Sequence, residues 1–147
     1  MKQFIMALLG VIFLTNCNAQ IQETKQDHIV KIWSVKSGAS TVLELSYLVN
    51  ESDTIYRFMY VNAKYQYTTD LKFIYFSEEG GTLQALYNIL SDCLNNEKGT
   101  EKTFKLGNDA VYIQTSKSMG VKYLFFSVAE KGYTTITEKQ LNKLFNK

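Results

Sequence analysis

Tyrosine is the residue type whose number and spacing in this sequence most suggest a function. Ten of the 147 residues are tyrosine, and four of these fall close together: Tyr56, Tyr60, Tyr65 and Tyr67. A tyrosine ring offers a large apolar area with a polar tip, and such rings often dominate binding energy once a partner removes their water. We therefore predict that the binding surface includes some of these four side chains. The alternative is that they pack beneath helices.

This pattern suits either a protein or a glycan as the partner and does not decide between them. Lys64 and Lys72 lie nearby and predict a weak preference for acidic partners, which salt would screen. The net charge of the whole chain is only +2. A surface so nearly balanced in charge gives no reason to expect nucleic acid binding.

Nucleophilic catalysis would depend on Cys93, with His28 as the only histidine able to assist it. A catalytic cysteine needs surroundings that lower the pKa of its thiol. Cys93 instead follows Leu86 by seven positions and Leu90 by three, which puts it on or beside the apolar stripe of a predicted helix. The spacing favours a small core residue.

Paired carboxylates occur at Glu78 and Glu79, directly before Gly80 and Gly81. Acidic side chains are favoured there by the positive end of the following helix, so no catalytic role is needed to explain them. The glycine pair lacks the spacing of a phosphate-binding loop. We assign no catalytic residue, and keep a small hydrolase-like enzyme using Cys93, or Glu78 and Glu79, as the alternative.

Metal and cofactor binding have no support in the residue inventory. The sequence contains one histidine and two cysteines, and no CxxC, HxH or HExxH spacing. A tetrahedral zinc site cannot be assembled from these residues, and no EF-hand spacing is present. We therefore predict neither a metal nor a cofactor.

The first 19 residues resemble a secretory signal peptide. Lys2 precedes an apolar run over residues 4–14, and Cys17 and Ala19 are small residues suited to a cleavage site. The run is shorter than the ~20 residues that span a bilayer. Cleavage after Ala19 would give a periplasmic or secreted protein. The alternative is a lipoprotein that keeps Cys17 and is anchored to a membrane through it, although Asn16 is unusual before a lipidated cysteine.

The remaining chain divides into a polar lead-in, residues 20–27, and one predicted domain, residues 28–147. Period-two alternation predicts strands over residues 29–35, 41–49, 54–63, 71–77, 103–106, 111–115 and 121–128. The alternation of Tyr56, Phe58 and Tyr60 is expected to continue to Tyr65 and Tyr67. The short connections between these strands leave no room for crossover helices, so the pairing should be antiparallel.

Two helices complete the prediction. Leucines at three- and four-residue steps predict a helix over residues 82–95. Thr137 and Gln140 form a capping box at the start of a short closing helix. We predict an α+β fold of order ββββαβββα, in which two helices cover one face of an antiparallel sheet of about seven strands. A doubled unit of meander and helix is conceivable, but no repeat at the level of residues supports it.

These observations favour an exported, non-catalytic binding module of the bacterial envelope or secreted fraction. The basis is the predicted export together with the lack of a convincing catalytic set. A small hydrolase-like enzyme is the alternative from another functional class, and a purely structural role is the third.

Overall fold

The computed structural model describes residues 28–50, 53–65, 67–97 and 99–147. The predicted signal peptide, residues 1–19, and the lead-in, residues 20–27, lie outside the described residues. The described chain forms eight strands and two helices: β1 (Ile29–Ser37), β2 (Ser40–Asn50), β3 (Asp53–Val61), β4 (Leu71–Ser77), α1 (Thr82–Asn95), β5 (Glu101–Leu106), β6 (Asp109–Ser118), β7 (Val121–Val128), β8 (Gly132–Thr137) and α2 (Glu138–Phe145).

The strands form two antiparallel sheets, which corrects the prediction of a single sheet. Sheet 1 has the order β1-β2-β3-β4, and sheet 2 has the order β5-β6-β7-β8. The α+β class and the antiparallel pairing are confirmed. The element order is ββββαββββα, so four strands and a helix occur twice in succession. The doubled unit that no sequence repeat supports is therefore present in the fold.

The strand that the prediction missed is β8. It has six residues, begins directly after the turn that ends β7, and runs without a break into the capping box of α2. Apart from Gly132 it consists of three threonines, Tyr133 and Ile136. Thr134 and Ile136 face the core. A short strand with so few apolar residues gives a weak period-two signal.

Each helix packs on the sheet of the other half of the chain. α1 follows sheet 1 but contacts β6 and β7, whereas α2 follows sheet 2 and contacts mainly β1 and β2. The helices also touch each other, where the Tyr87 hydroxyl donates to Asn142 at 3.1 Å and the Tyr87 ring lies 5.4 Å from the Phe145 ring. The prediction that both helices cover one face of one sheet is therefore wrong.

The inner faces of the two sheets meet in one hydrophobic cluster. The Phe126 ring of β7 lies 5.4 Å from the Phe58 ring and 6.0 Å from the Tyr60 ring, both of β3. The buried leucines of both helices belong to the same cluster. The assignment of residues 28–147 to a single domain stays a prediction, and this shared core is consistent with it.

The closing helix begins as the sequence predicts. The Thr137 hydroxyl accepts from the Gln140 amide at 3.4 Å, and the Gln140 side chain accepts from the Thr137 amide at 2.9 Å. The capping box is therefore confirmed. Leu141 and Leu144, on the apolar face of α2, are buried.

Candidate functional site

The chain leaves β3 at residue 62 and reaches β4 after residue 70, and these two ends of the connection are held together. The Asn62 amide donates to the Asp70 carbonyl at 2.8 Å, and the next amide, of Ala63, donates to the Tyr133 carbonyl of β8 at 2.8 Å. Compact loops with closed ends are often functional because the scaffold fixes how their tips are presented. We refer to the described residues of this segment, 62–65 and 67–70, as the β3–β4 loop.

The Asn62 side chain is the hub of this loop and is almost fully buried. Its Oδ1 accepts from the amides of Lys64 at 3.1 Å and Tyr133 at 3.2 Å, and its Nδ2 donates to an Asp70 carboxylate oxygen at 2.9 Å. These bonds join both ends of the loop to β8 of sheet 2. One side chain thus links the two ends of the loop to each other and to sheet 2.

The four predicted binding tyrosines occupy three different environments. Tyr65 and Tyr67 lie on the β3–β4 loop, with 50% and 97% of their surface exposed. Tyr60 is fully buried, and Tyr56 is partly buried, with its ring stacked 5.5 Å from that of Phe76. Only the loop pair is freely accessible to a partner.

The predicted continuation of strand alternation to Tyr65 and Tyr67 is wrong. β3 ends at Val61, and the loop begins at Asn62. Asparagine is favoured in turns because its side chain can bond nearby backbone groups, as this one does to Lys64. The local sequence therefore contains a signal that the strand ends here.

Tyr60 has a structural role beneath the loop. Its hydroxyl donates to the Lys131 carbonyl at 3.4 Å, in the turn between β7 and β8. Burial is the main reason that the pKa of Tyr60 is raised well above its ordinary value, with smaller contributions from Asp109 and Asp70. The hydroxyl therefore stays protonated and available as a donor.

A depression of about 580 Å³ lies beside the β3–β4 loop. One wall of the depression is formed by the loop and the adjoining residue Lys72, and the opposite wall by the turn between β7 and β8. Its lining consists of Asn62, Lys64, Tyr65, Thr68, Thr69, Asp70, Lys72, Glu130, Lys131 and Gly132. A second depression of about 410 Å³ is lined by Lys64, Tyr65, Tyr67 and Thr68, three of which also line the first. The two depressions together are called the loop trough.

Most of the charges in the loop trough are paired. The Lys72 ammonium lies 3.0 Å from the Asp70 carboxylate, and the Lys131 ammonium lies 2.8 Å from Asp109. The bond from Asn62, followed by that from Lys72, holds the pKa of Asp70 below its ordinary value, so its carboxylate is ionised near neutral pH. The predicted preference of Lys72 for acidic partners is therefore weakened, because an acid already accompanies it.

Cys93 is a core residue in the structure. It has no exposed surface, and its sulfur lies 3.3 Å from the Thr115 hydroxyl and 3.5 Å from the Thr100 carbonyl. His28, by contrast, is exposed just before β1. A substrate has no access to the Cys93 thiol in this conformation.

Glu78 and Glu79 lie on the surface, in the turn that leads into α1. A Glu78 carboxylate oxygen accepts from the Leu83 amide at 3.1 Å in the first turn of the helix. The Glu79 carboxylate accepts from the Ser77 hydroxyl at 3.0 Å. Both acids thus take part in bonds that order the turn and the helix start, as helix electrostatics favours.

The outer face of sheet 1 carries a charged cluster that the sequence did not single out. The Glu44 carboxylate, nearly buried, lies 2.7 Å from the Lys31 ammonium and 2.9 Å from the Arg57 guanidinium. The guanidinium also lies 5.5 Å from the centre of the Phe73 ring. Cross-strand register brings these groups together, so the cluster is explained by sheet pairing.

Two of the residues that build the candidate site, Asn62 and Gly132, were not predicted. Asn62 had a recognisable local signal, because asparagine directly after an alternating segment indicates a turn. Gly132 had none, because its importance depends on contact with a side chain 70 positions earlier in the chain.

Among the described residues no group of three or more histidine, cysteine, aspartate or glutamate side chains could hold a metal ion. No helix of the described chain is long and apolar enough to cross a membrane.

The loop, its buried asparagine hub and the trough beside it constitute the candidate functional site. No protein-family model, curated protein or solved structure matches the chain.

Proposed function

We propose that this protein is an exported, non-catalytic binding module of the bacterial envelope or secreted fraction, which contacts a protein or glycan through the β3–β4 loop. The observation that carries the proposal is the presentation of Tyr65 and Tyr67. Both rings are exposed on one short loop, at 50% and 97% of their surface, while the ends of that loop are fixed by hydrogen bonds.

The fixed ends of the loop matter because a partner that binds a mobile loop must order it, and this ordering costs conformational entropy. A loop already held at its base loses less conformational freedom when a partner binds, which favours affinity. Tyrosine adds contact area with only two side-chain torsions to fix. The bonds of Asn62 to Lys64, Asp70 and Tyr133 supply this order before any partner arrives.

The binding proposal predicts that removing the two loop rings abolishes partner capture. Tyr65→Ala combined with Tyr67→Ala should lower recovery of the partner from envelope and secreted fractions by at least about tenfold, as expected for hot-spot residues. The measurement is quantitative mass spectrometry, or glycan analysis, of material retained on the immobilised protein.

Tyr75→Ala is the matched control for this experiment. Tyr75 is 49% exposed, almost the same as Tyr65, but lies on β4 of sheet 1 outside the loop trough. Its substitution should leave recovery within about twofold of the unsubstituted protein. Equal recovery by the loop variant and the control would contradict the proposal.

The hydrolase alternative gains no support from the positions of its candidate residues. The Cys93 thiol is enclosed in the core, and Glu78 and Glu79 are engaged in bonds around the start of α1. We therefore develop only the binding function.

Export remains a prediction from the sequence of residues 1–19. Expression of the whole gene in a bacterial host should give a mature chain that begins at Gln20, because Cys17 and Ala19 have the small side chains that a signal peptidase accepts. Intact mass measurement identifies the first residue. An acylated Cys17 at the start would instead establish the lipoprotein, and a chain that retains Met1 would contradict export.

A further inference from the structure

The balance of charge in the loop trough restricts the chemistry of its ligand. Lys72 and Lys131 are each paired with an acid, at 3.0 and 2.8 Å. The other two charged residues in the lining are Lys64 and Glu130, which have opposite signs. The trough therefore offers no excess of cations to attract a phosphate, a nucleic acid or an anionic lipid, since such ligands need uncompensated positive charge.

The lining also argues against an apolar ligand. Among the described residues that line the two depressions, Tyr65 and Tyr67 carry the only large apolar surfaces, and both are exposed side chains on the loop. A hydrophobic peptide anchor requires a pocket whose apolar walls enclose its side chain. Aromatic rings beside a polar trough do not provide such an enclosure.

The groups that are present suit a ligand with many hydroxyls. Thr68 and Thr69 can each donate and accept, and the carboxylates of Asp70 and Glu130 accept. A sugar ring has hydroxyls around its edge and carbon-bound hydrogens on its faces. Its hydroxyls would bond the threonines and carboxylates, while a face of the ring would pack on Tyr65 or Tyr67.

Resting on the proposed function, we infer that the ligand of the loop trough is a neutral oligosaccharide. The two depressions, of about 580 and 410 Å³, share Lys64, Tyr65 and Thr68. A chain of several sugar units can occupy both, whereas a single sugar can occupy only one. The ligand is therefore a glycan chain, and protein contacts are secondary.

The test measures binding of the intact protein to defined glycans by isothermal titration calorimetry. The probes are uncharged hexasaccharides of glucose and of N-acetylglucosamine in several linkages, their disaccharides, and heparin hexasaccharide as the anionic comparison. At least one neutral hexasaccharide should bind, at least about tenfold more tightly than its disaccharide, because only the longer chain reaches both depressions. Its affinity should change less than about twofold between 50 and 500 mM salt.

The variants separate this site from other surfaces. Tyr67→Ala should lower the affinity at least about tenfold, and Tyr75→Ala should leave it unchanged. Binding that favours heparin and falls steeply with salt would overturn the inference, as would the absence of binding to every neutral hexasaccharide at millimolar concentration. If a protein partner is still lost in the variant lacking Tyr65 and Tyr67 while no glycan binds, the proposed function stands and the glycan inference is overturned.

Discussion

Gly107→Ala is expected to lower the free energy of unfolding by about 3 kcal/mol, a large effect for the addition of one methyl group. Gly107 lies in the turn between β5 and β6, where its backbone rests against β4 of sheet 1. A Cβ atom at this position would overlap the carbonyl oxygen of Tyr75. That oxygen belongs to a paired strand, so relief of the overlap requires the two sheets to move apart.

Gly38→Ala is the matched control for Gly107→Ala. Gly38 has a φ of 60° and Gly107 a φ of 59°, so alanine is equally strained at both positions, but a Cβ at Gly38 would meet nothing within 4 Å. The control should therefore cost only the left-handed backbone strain of about 1 kcal/mol. Urea denaturation of both variants gives the difference. Equal losses of stability would show that the turn of sheet 2 does not press on sheet 1.

The elements with strong periodicity were predicted with accurate bounds. The leucine spacing of α1 and the apolar alternation of β4 and β7 each give a signal that stands without tertiary context, and all three have the predicted ends. The capping box of α2 is likewise local. In each case the residues that decide the structure lie within a few positions of one another.

The division into two sheets could not be predicted in this way. Alternation shows which side chains of a strand share a face, but it does not say which other strand or sheet that face packs on. The contacts of Phe126 with Phe58 and Tyr60 join residues 68 and 66 positions apart, and each helix packs on strands of the other half of the chain. Such contacts depend on tertiary packing, which no local pattern encodes.

The candidate site was predicted in part for a related reason. The cluster of tyrosines correctly drew attention to the segment that contains the loop, yet Tyr60 alternates with Phe58 and faces the core. Met59, between them on the opposite face, is also nearly buried. When both faces of a strand are apolar, alternation alone cannot tell which tyrosines are exposed.

Gly132→Ala is expected to disrupt the base of the β3–β4 loop and to lower the free energy of unfolding by about 2–3 kcal/mol. A Cβ at Gly132 would overlap the carboxamide group of Asn62. Displacing that group breaks its bonds to the amides of Lys64 and Tyr133. Hydrogen exchange at these two amides should therefore accelerate, and binding through Tyr65 and Tyr67 should weaken.

Gly120→Ala separates steric displacement from backbone strain. Gly120 has a φ of 84°, close to the 87° of Gly132, and lies in the hairpin turn between β6 and β7 with open space around its would-be Cβ. This control should lose about 1 kcal/mol and keep the protection of the Lys64 and Tyr133 amides. Identical exchange rates in the two variants would contradict the proposed role of Asn62.

A double-mutant cycle with Asn62→Ala then tests the overlap itself. Asn62→Ala removes all three side-chain atoms that the new Cβ would meet, and on its own it should destabilise the protein because the loop loses its hub. Once those atoms are absent, Gly132→Ala should cost little beyond backbone strain. The double variant should therefore be more stable than the sum of the single losses by about 1–2 kcal/mol. Strict additivity would mean that Gly132 and Asn62 act independently, and that the loop is held by its backbone bonds alone.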